Sequence, residues 1–373
     1  MRKRALSVLL AAAMSVSLIA CGSSSSGTTT AAADSAAETG AEAADTTAAE
    51  AEEEQAETKA ASDIKVGMVT DIGGVNDGSF NQSAWEGLQR AGEDFGIEVN
   101  YLESKTDADY APNLETFIDE DYDLIIAVGY MMADALRTAA EANPDMHFAI
   151  VDDTTNSDLD NVTCLMFQQA EASYLVGMVA GMMTESNKVG FVIGMTNEAM
   201  NQFGYGYCAG VLDSNPDAEI LQYNVNSFGD AAGGKSAATS MIADGADIIF
   251  HAAGGTGLGV IESCKESGIW AIGVDSDQSY LAPESILTSA MKRVDNATYE
   301  ISKACVDGNL ESGIVTYDLK SEGVDIAPTT DNLPEEVLTA VEEVKEKIKS
   351  GELTVPGDKE SFEAAYGDVY TLD

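Results

Sequence analysis

Basic residues are scarce. Against 64 Asp and Glu there are 19 Lys and Arg, a formal net charge of −45. Nucleic acid is thereby excluded as a natural partner, because phosphate recognition needs a basic patch. The acidity reads as a solvated surface in an extracellular setting. Histidine is nearly missing, with His147 and His251 alone, and Cys164, Cys208, Cys264 and Cys305 show no C-x-x-C spacing. No zinc framework and no Cys-His catalytic pair follows from such spacing, so neither metal nor cofactor is expected and the four thiols read as small buried groups. Residues 22–62 lack any aromatic or β-branched apolar side chain and consist mostly of Ser, Thr, Ala and Glu. A segment with nothing to bury is expected to be a disordered acidic tether.

What precedes that tether is a secretion signal. Arg2, Lys3 and Arg4 form the basic end, residues 5–20 the apolar run, and Leu18-Ile19-Ala20-Cys21 the cleavage region. The run is short for a membrane span and leads into polar sequence. Loss of the three basic residues leaves the mature chain at −48. Leu-Ile-Ala-Cys resembles the bacterial lipoprotein box, which implies a lipid (palmitate) on Cys21 and a chain anchored at the extracytoplasmic face of the bacterial cell membrane.

From residue 64 onward, apolar runs of four to eight residues alternate with helix-length segments, the pattern of βαβ units on parallel sheets. Strands are expected at 64–70, 97–102, 124–128, 147–151, 161–167, 189–193, 219–225, 248–251, 270–274 and 286–291. The spacing of Phe80, Ala84, Leu88, Ala91 and Phe95 predicts a helix over 79–95. Further helices are expected at 133–142, 170–183, 201–212, 233–243, 257–267 and 331–350. Ten strands exceed what one compact sheet usually holds, so the fold class is α/β with two Rossmann-like lobes. The expected organisation is a signal at 1–20, a tether at 21–62, an N-terminal lobe at 63–168 plus about 278–308, and a C-terminal lobe at 169–277 plus about 309–373.

In such a fold a ligand belongs in the cleft beyond the carboxyl ends of the strands. The loops there are 70–81, 129–130, 152–153, 194–203, 254–257 and 275–278. They offer carboxylates, amides, hydroxyls and aromatics but few cations, which favours a neutral, hydroxyl-rich ligand over a phosphate or carboxylate. Gly73, Gly74 and Gly78 let the first loop turn tightly into a helix start at Ser79 that exposes Phe80 and Asn81. Phe80 reads either as core or as a stacking face, and Asp71 and Asp152 read equally as ligand acceptors or as caps.

Two motifs mislead. GDAAGGKS at 229–236 matches the P-loop pattern, yet no strand ending in Asp follows it and a secreted chain meets little ATP, so 233–243 reads as a helix with Lys235 in solvent. GGTGLG at 254–259 lacks dinucleotide spacing and reads instead as a loop offering backbone N–H groups and the Thr256 hydroxyl to a ligand.

The run DGSFNQSAWEGL at 77–88 closely resembles the basic membrane protein family of lipoproteins, the PnrA-like nucleoside-binding proteins. The likeness continues through FAIVD at 148–152, SYLVG at 173–177, KVGF at 188–191, FHAAGGTG at 250–257 and GVDSDQ at 273–278, in order across roughly 64–325. It implies a type I periplasmic-binding-protein fold whose lobes close on a nucleoside, purine nucleosides favoured, and deliver it to an ABC permease complex. By the same likeness Phe80 and Phe203 sandwich the base, Asp71 and Asn81 lie beside it, Asp152 contacts the ligand, and Gly255, Asp275 and Lys292 line the ribose end. The chain departs from the family pattern at Gly78 and at Asn201-Gln202. A same-fold sensor or binding protein for a sugar or another small polar ligand is the alternative. An extracellular hydrolase would need an activated nucleophile or a carboxyl pair of defined separation, and none stands out, so no catalytic residue is assigned.

Overall fold

The structure is a computed structural model that describes residues 59–373. The signal, Cys21 and nearly all of the tether lie outside the described residues. Along the chain run β1 (Lys65–Thr70), α1 (Phe80–Phe95), β2 (Glu98–Leu102), α2 (Tyr110–Asp119), β3 (Leu124–Val128), α3 (Ala133–Ala142), β4 (His147–Val151) and β5 (Val162–Phe167). These are followed by α4 (Gln169–Met183), β6 (Lys188–Ile193), α5 (Glu198–Ser214), β7 (Glu219–Asn224), α6 (Ala231–Ala243), β8 (Ile248–Ala252), α7 (Thr256–Ser267), β9 (Trp270–Asp275) and β10 (Ile286–Lys292). Last come α8 (Val294–Val306), β11 (Gly313–Tyr317), β12 (Val324–Ile326), α9 (Glu335–Ser350) and α10 (Lys359–Tyr366).

Two six-stranded sheets result, in the orders β11-β5-β4-β3-β1-β2 and β12-β10-β9-β8-β6-β7. Every pairing is parallel except that of β12 with β10. Inner strands such as β3 and β8 are buried along their whole length, as sheets covered by helices on both faces require. The residues of β3 divide by face. Leu124, Ile126 and Val128 join the core that contains α1 residues Ala84 and Leu88, whereas Ile125 and Ala127 pack with α2 and α3 residues Phe117 and Leu136. Helices α1, α7 and α9 stop at Gly96, Gly268 and Gly351, each in the left-handed conformation that a glycine C-cap provides.

Three stretches of chain pass between the sheets, after β5, after β10 and after β11. The crossover expected near 278 lies elsewhere. β10 stays in the second sheet, in parallel register with β9, and the chain leaves only at Arg293. Helix α8 then packs on α1, where a Cβ at Gly87 would lie 1.9 Å from the Asp295 carbonyl oxygen. β11 adds to the first sheet beside β5, so the return falls after Tyr317 rather than near residue 308. Pairing decides this: Asp277–Ser279 has the composition of a boundary, but Asp277 caps a 3₁₀ helix, Gln278–Leu281, within the ten-residue connection 276–285 that brings β10 back parallel to β9. The three crossovers are joined to one another, since the Gln168 amide donates to the Tyr317 carbonyl at 2.8 Å and the Arg293 amide to the Gly323 carbonyl at 2.9 Å.

Helix α4, which opens the second half, is buried on almost every side, Glu171 being its one charged residue. It lies against α5, β10, β12 and α9, and an apolar circumference is what such a position requires. Its contact with α5 is backbone to backbone. A Cβ at Gly206 would sit 2.1 Å from the Ala170 carbonyl oxygen, and one at Gly210 2.0 Å from that of Tyr174. Gly210→Val therefore forces the helices apart and is expected to lower stability by about 1–3 kcal/mol, read from the urea midpoint; an unchanged midpoint would contradict this packing.

Candidate functional site

The loop from β1 to α1 is organised by a carboxylate. Ser79 occupies the N-cap position of α1 but caps nothing. Asp77 does so from two residues earlier, accepting from the amides of Ser79 (2.9 Å), Asn81 (2.9 Å) and Gln82 (3.1 Å). This satisfies N–H groups that a helix start otherwise leaves open. The Ser79 hydroxyl is thereby released to donate to Asp275 on the far side of the cleft. Asn81, expected to be exposed, is buried. Its Nδ2 donates to Asp71 at 2.8 Å and to Asp77 at 3.0 Å, while its Oδ1 accepts from the Asp71 amide at 3.2 Å. The Asn81 amide group is thus spent on holding two acids in place.

Asp152 follows β4 and Asp275 ends β9, with φ of +66° and +64°. Left-handed backbone at a non-glycine residue costs on the order of 1–3 kcal/mol and concentrates at functional sites. Here it occurs at equivalent places in the two halves, the ends of β4 and β9, and turns both carboxyls into the space between the sheets. Lys292, the last residue of β10, is buried and places its ammonium 2.5 Å from Asp152 Oδ2. The same ammonium lies 5.1 Å from the ring centres of Phe80 and Phe167 and 5.6 Å from that of Phe203, within range of cation–π attraction. The other oxygen of Asp152, Oδ1, is buried and has no partner among the described residues.

Most of these groups line a cavity between the two sheets. Burial pushes the Asp275 carboxyl up to about 7, against the opposing pull of Lys292 and the Ser79 hydroxyl. Burial likewise pushes Asp71 up to about 6 despite its bonds from Asn81 and the Gly73 amide, and moves Asp77 upward. Four carboxyls and one ammonium line the cavity, and the ammonium is already paired.

Of the residues singled out from sequence, Asp71, Phe80, Asn81, Asp152, Phe203, Asp275 and Lys292 all line this cavity. Gly255 does not; its neighbour Gly254 takes that place, and Gly255 is the N-cap of α7. The Thr256 hydroxyl, expected to face a ligand, is consumed by the fold, accepting from the Asp230 amide at 2.8 Å and donating to the Ser227 carbonyl at 2.8 Å. Phe228 and Val274, outside the expected cleft loops, also line the cavity, as does Met200 from the expected loop 194–203. Phe228 stands alone in a loop after β7; an aromatic between Ser227 and Gly229 just past a strand end was the only signal for it.

The P-loop match dissolves in the structure. Asp230 caps α6 through the Gly233 amide at 2.9 Å, a Cβ at Gly234 would strike the Thr256 carbonyl at 2.1 Å, and Lys235 pairs with Glu262 and Glu266 on α7. Gly234 serves the packing of α6 on α7. Among the described residues no group of His, Cys, Asp and Glu is placed to hold a metal ion, and all four described cysteines are free thiols. No helix among them is long and apolar enough to cross a membrane.

Residues 64–359 match the model of the Bmp family, described as ABC transporter substrate-binding protein PnrA-like. The chain is 42% identical over 320 residues to the CD4+ T-cell-stimulating antigen of Listeria monocytogenes, covering 80% of this chain and 89% of that one. It is 37% identical over 321 residues to the ABC transporter nucleoside-binding protein BmpA of Lactococcus lactis, with 80% and 90% covered. Among solved structures, an ABC transporter solute-binding protein from Aeropyrum pernix superposes with a TM-score of 0.74 at 28% identity over 82% of this chain and 97% of its own. The two lobes therefore have the type I periplasmic-binding-protein fold, built to bind a solute and not to transform it. The chain belongs to the Bmp family of PnrA-like, extracytoplasmic substrate-binding proteins of ABC transporters.

Proposed function

We propose that this protein captures nucleosides, purine nucleosides favoured, between its two sheets and presents them to an ABC permease complex while tethered by a lipid on Cys21. The observation that carries the reading is the state of the cavity's charges. Lys292 is already neutralised by Asp152, whereas Asp152 Oδ1 is buried and unpartnered. A phosphate or carboxylate would meet four acids and no available cation; a neutral ligand with hydroxyl donors meets an open acceptor and aromatic faces. Phe80 and Phe203 then stack on the base, Asp71, oriented by Asn81, lies at its edge, and Asp152, Asp275 and Lys292 take the ribose hydroxyls. The Gly255 role passes to Gly254. The Lactococcus relative, a nucleoside-binding protein by name, supports the same ligand class.

The direct test is calorimetric titration with nucleosides, free bases, nucleotides and sugars. Nucleosides are expected to bind and nucleotides and sugars not to; a response to sugars alone would sink the nucleoside reading and favour the sugar-binding alternative. Phe80→Ala and Asp275→Ala are each expected to weaken nucleoside binding at least about tenfold while the protein remains folded.

A pH dependence follows from the raised acids. With folded values of about 6 and 7 against an ordinary 3.8, Asp71 and Asp275 hold protons more tightly in the folded than in the unfolded chain. Empty-protein stability then decreases as pH rises from about 4 to 7. Ribose hydroxyls donating to Asp275 and base N–H groups donating to Asp71 favour the ionised forms, so affinity is expected to rise over the same interval. Proton release near pH 6, read from titrations in buffers of different ionisation enthalpy, measures it; proton uptake would contradict the assignment.

The anchor is tested separately. Cys21→Ser is expected to move the protein from the membrane fraction to the medium, and retention at the membrane would remove the lipid assignment.

A further inference from the structure

The turn that opens α1 also meets the second half of the molecule outside the cavity. The Gly78 carbonyl oxygen accepts from Gln278 Nε2 at 2.9 Å and from Ser276 Oγ at 3.4 Å. Gln278 is fully buried, and neither it nor Gly78 lines the cavity. The orientation of its amide is dictated by its surroundings. Gln278 Oε1 accepts from the Val274 amide at 2.9 Å and lies 3.1 Å from His251 Nε2. Because a backbone N–H can only donate, the oxygen must face Val274, and the NH₂ is left to face the Gly78 carbonyl. The Gln278 amide N–H itself donates to Ser289 Oγ at 3.2 Å. Four groups of the second half thus hold this residue: Val274, His251 and Ser289 directly, and Gly273 by leaving room, since a Cβ there would lie 2.6 Å from Gln278 Oε1.

Gly78 is shaped to receive it. Its φ of +65° suits glycine, and a side chain there would meet Leu258 at 3.3 Å and the Tyr280 hydroxyl at 3.6 Å. Two other polar bridges at this cleft, Lys292 to Asp152 and Ser79 to Asp275, involve cavity-lining acids that a bound solute would share, and a third, from the Tyr130 hydroxyl to Met195 Sδ, is long at 3.9 Å and starts from a cavity-lining residue. The bridge from Gln278 to Gly78 has no such competitor.

We propose that Gln278 is a positioning residue that latches the two lobes together independently of the ligand, so that the empty protein already populates the closed arrangement. The inference concerns closure alone and holds whichever solute the cavity takes. By keeping the binding-competent form populated, the latch removes a conformational cost from the apparent affinity.

Gln278→Glu keeps the length of the side chain and the oxygen that accepts from Val274 and, once ionised at alkaline pH, where this variant is measured beside the parent, turns the donor facing Gly78 into an acceptor. Gln278→Met removes the polar contacts of the side chain and leaves the backbone bond to Ser289. Spin labels carried on unnatural amino acids at the exposed Tyr101 and Tyr223, near the ends of β2 and β7, report lobe separation by pulsed EPR in the full chain. Bound solute is first stripped by unfolding and refolding. The stripped parent is expected to show the one short separation of the closed structure, and both variants a longer or bimodal distribution. Solute affinity in the variants is expected to fall about 3- to 10-fold, the worth of one buried hydrogen bond, chiefly through faster dissociation. A stripped parent that is mainly open overturns the latch, as do variants that stay as closed as the parent. Should either variant fail to fold, the parent's distribution decides by itself. The EPR result stands apart from the nucleoside reading, whose failure would show only in the titrations.

Discussion

One buried ion pair governs the space between the sheets. An ammonium withdrawn from water as completely as that of Lys292 costs several kcal/mol unless it is closely compensated. Asp152 at 2.5 Å and the faces of Phe80, Phe167 and Phe203 provide that compensation. The partners come from different sheets, Asp152 after β4 and Lys292 at the end of β10, so the pair exists only while the sheets face each other as they do here. Its formation also uses up the positive charge at the cavity. Desolvation then outweighs the pull of Lys292 and the Ser79 hydroxyl at Asp275 and the hydrogen bonds from Asn81 and Gly73 at Asp71, which is why both carboxyls sit above the usual range.

The two halves repeat one architecture with different chemistry at matching strand ends. In each sheet the first four strands in chain order, β1 to β4 and β6 to β9, are arranged alike, with the fifth beside the fourth. Asp152 and Asp275 match, both at left-handed φ. Where β1 is followed by Asp71, β6 is followed by Gly194, and where β5 ends in Phe167, β10 ends in Lys292. A repeat supplies the symmetric frame, and substitutions at its strand ends make a site with an acid-rich side and a cation-bearing side. The loop before α1 adds a further asymmetry: with Asp77 capping the helix, Ser79 and Gly78 are free to bond across the cleft.

Much of this was legible in the sequence for local reasons. Buried parallel strands are short uninterrupted apolar runs, and the ten expected strands all occur, with ends shifted by a residue or so. Helices with a clear apolar stripe, such as α1, were equally plain. Other elements were passed over. β11 is largely exposed and β12 has three residues, α10 is short, and α2 and α8 were missed although each buries an apolar stripe. Seven of eight expected site residues line the cavity because the ends of parallel strands converge there. The exception is Gly255, which serves as the N-cap of α7; the Thr256 hydroxyl, another expected donor, is likewise consumed, by Asp230 and Ser227 from a loop remote in sequence.

The sequence alone therefore determined the α/β class, the positions of ten strands and of most helices, and the acid-rich, cation-poor character of the cleft loops, because each depends on composition or on periodicities within a few residues. Tertiary structure alone decided that β10 belongs to the second sheet, that Lys292 meets Asp152 and not a ligand phosphate, and that Gln278 reaches Gly78. A parallel strand carries no local mark of its neighbour, and whether a polar atom is free to bind depends on partners that approach it only when the chain is folded.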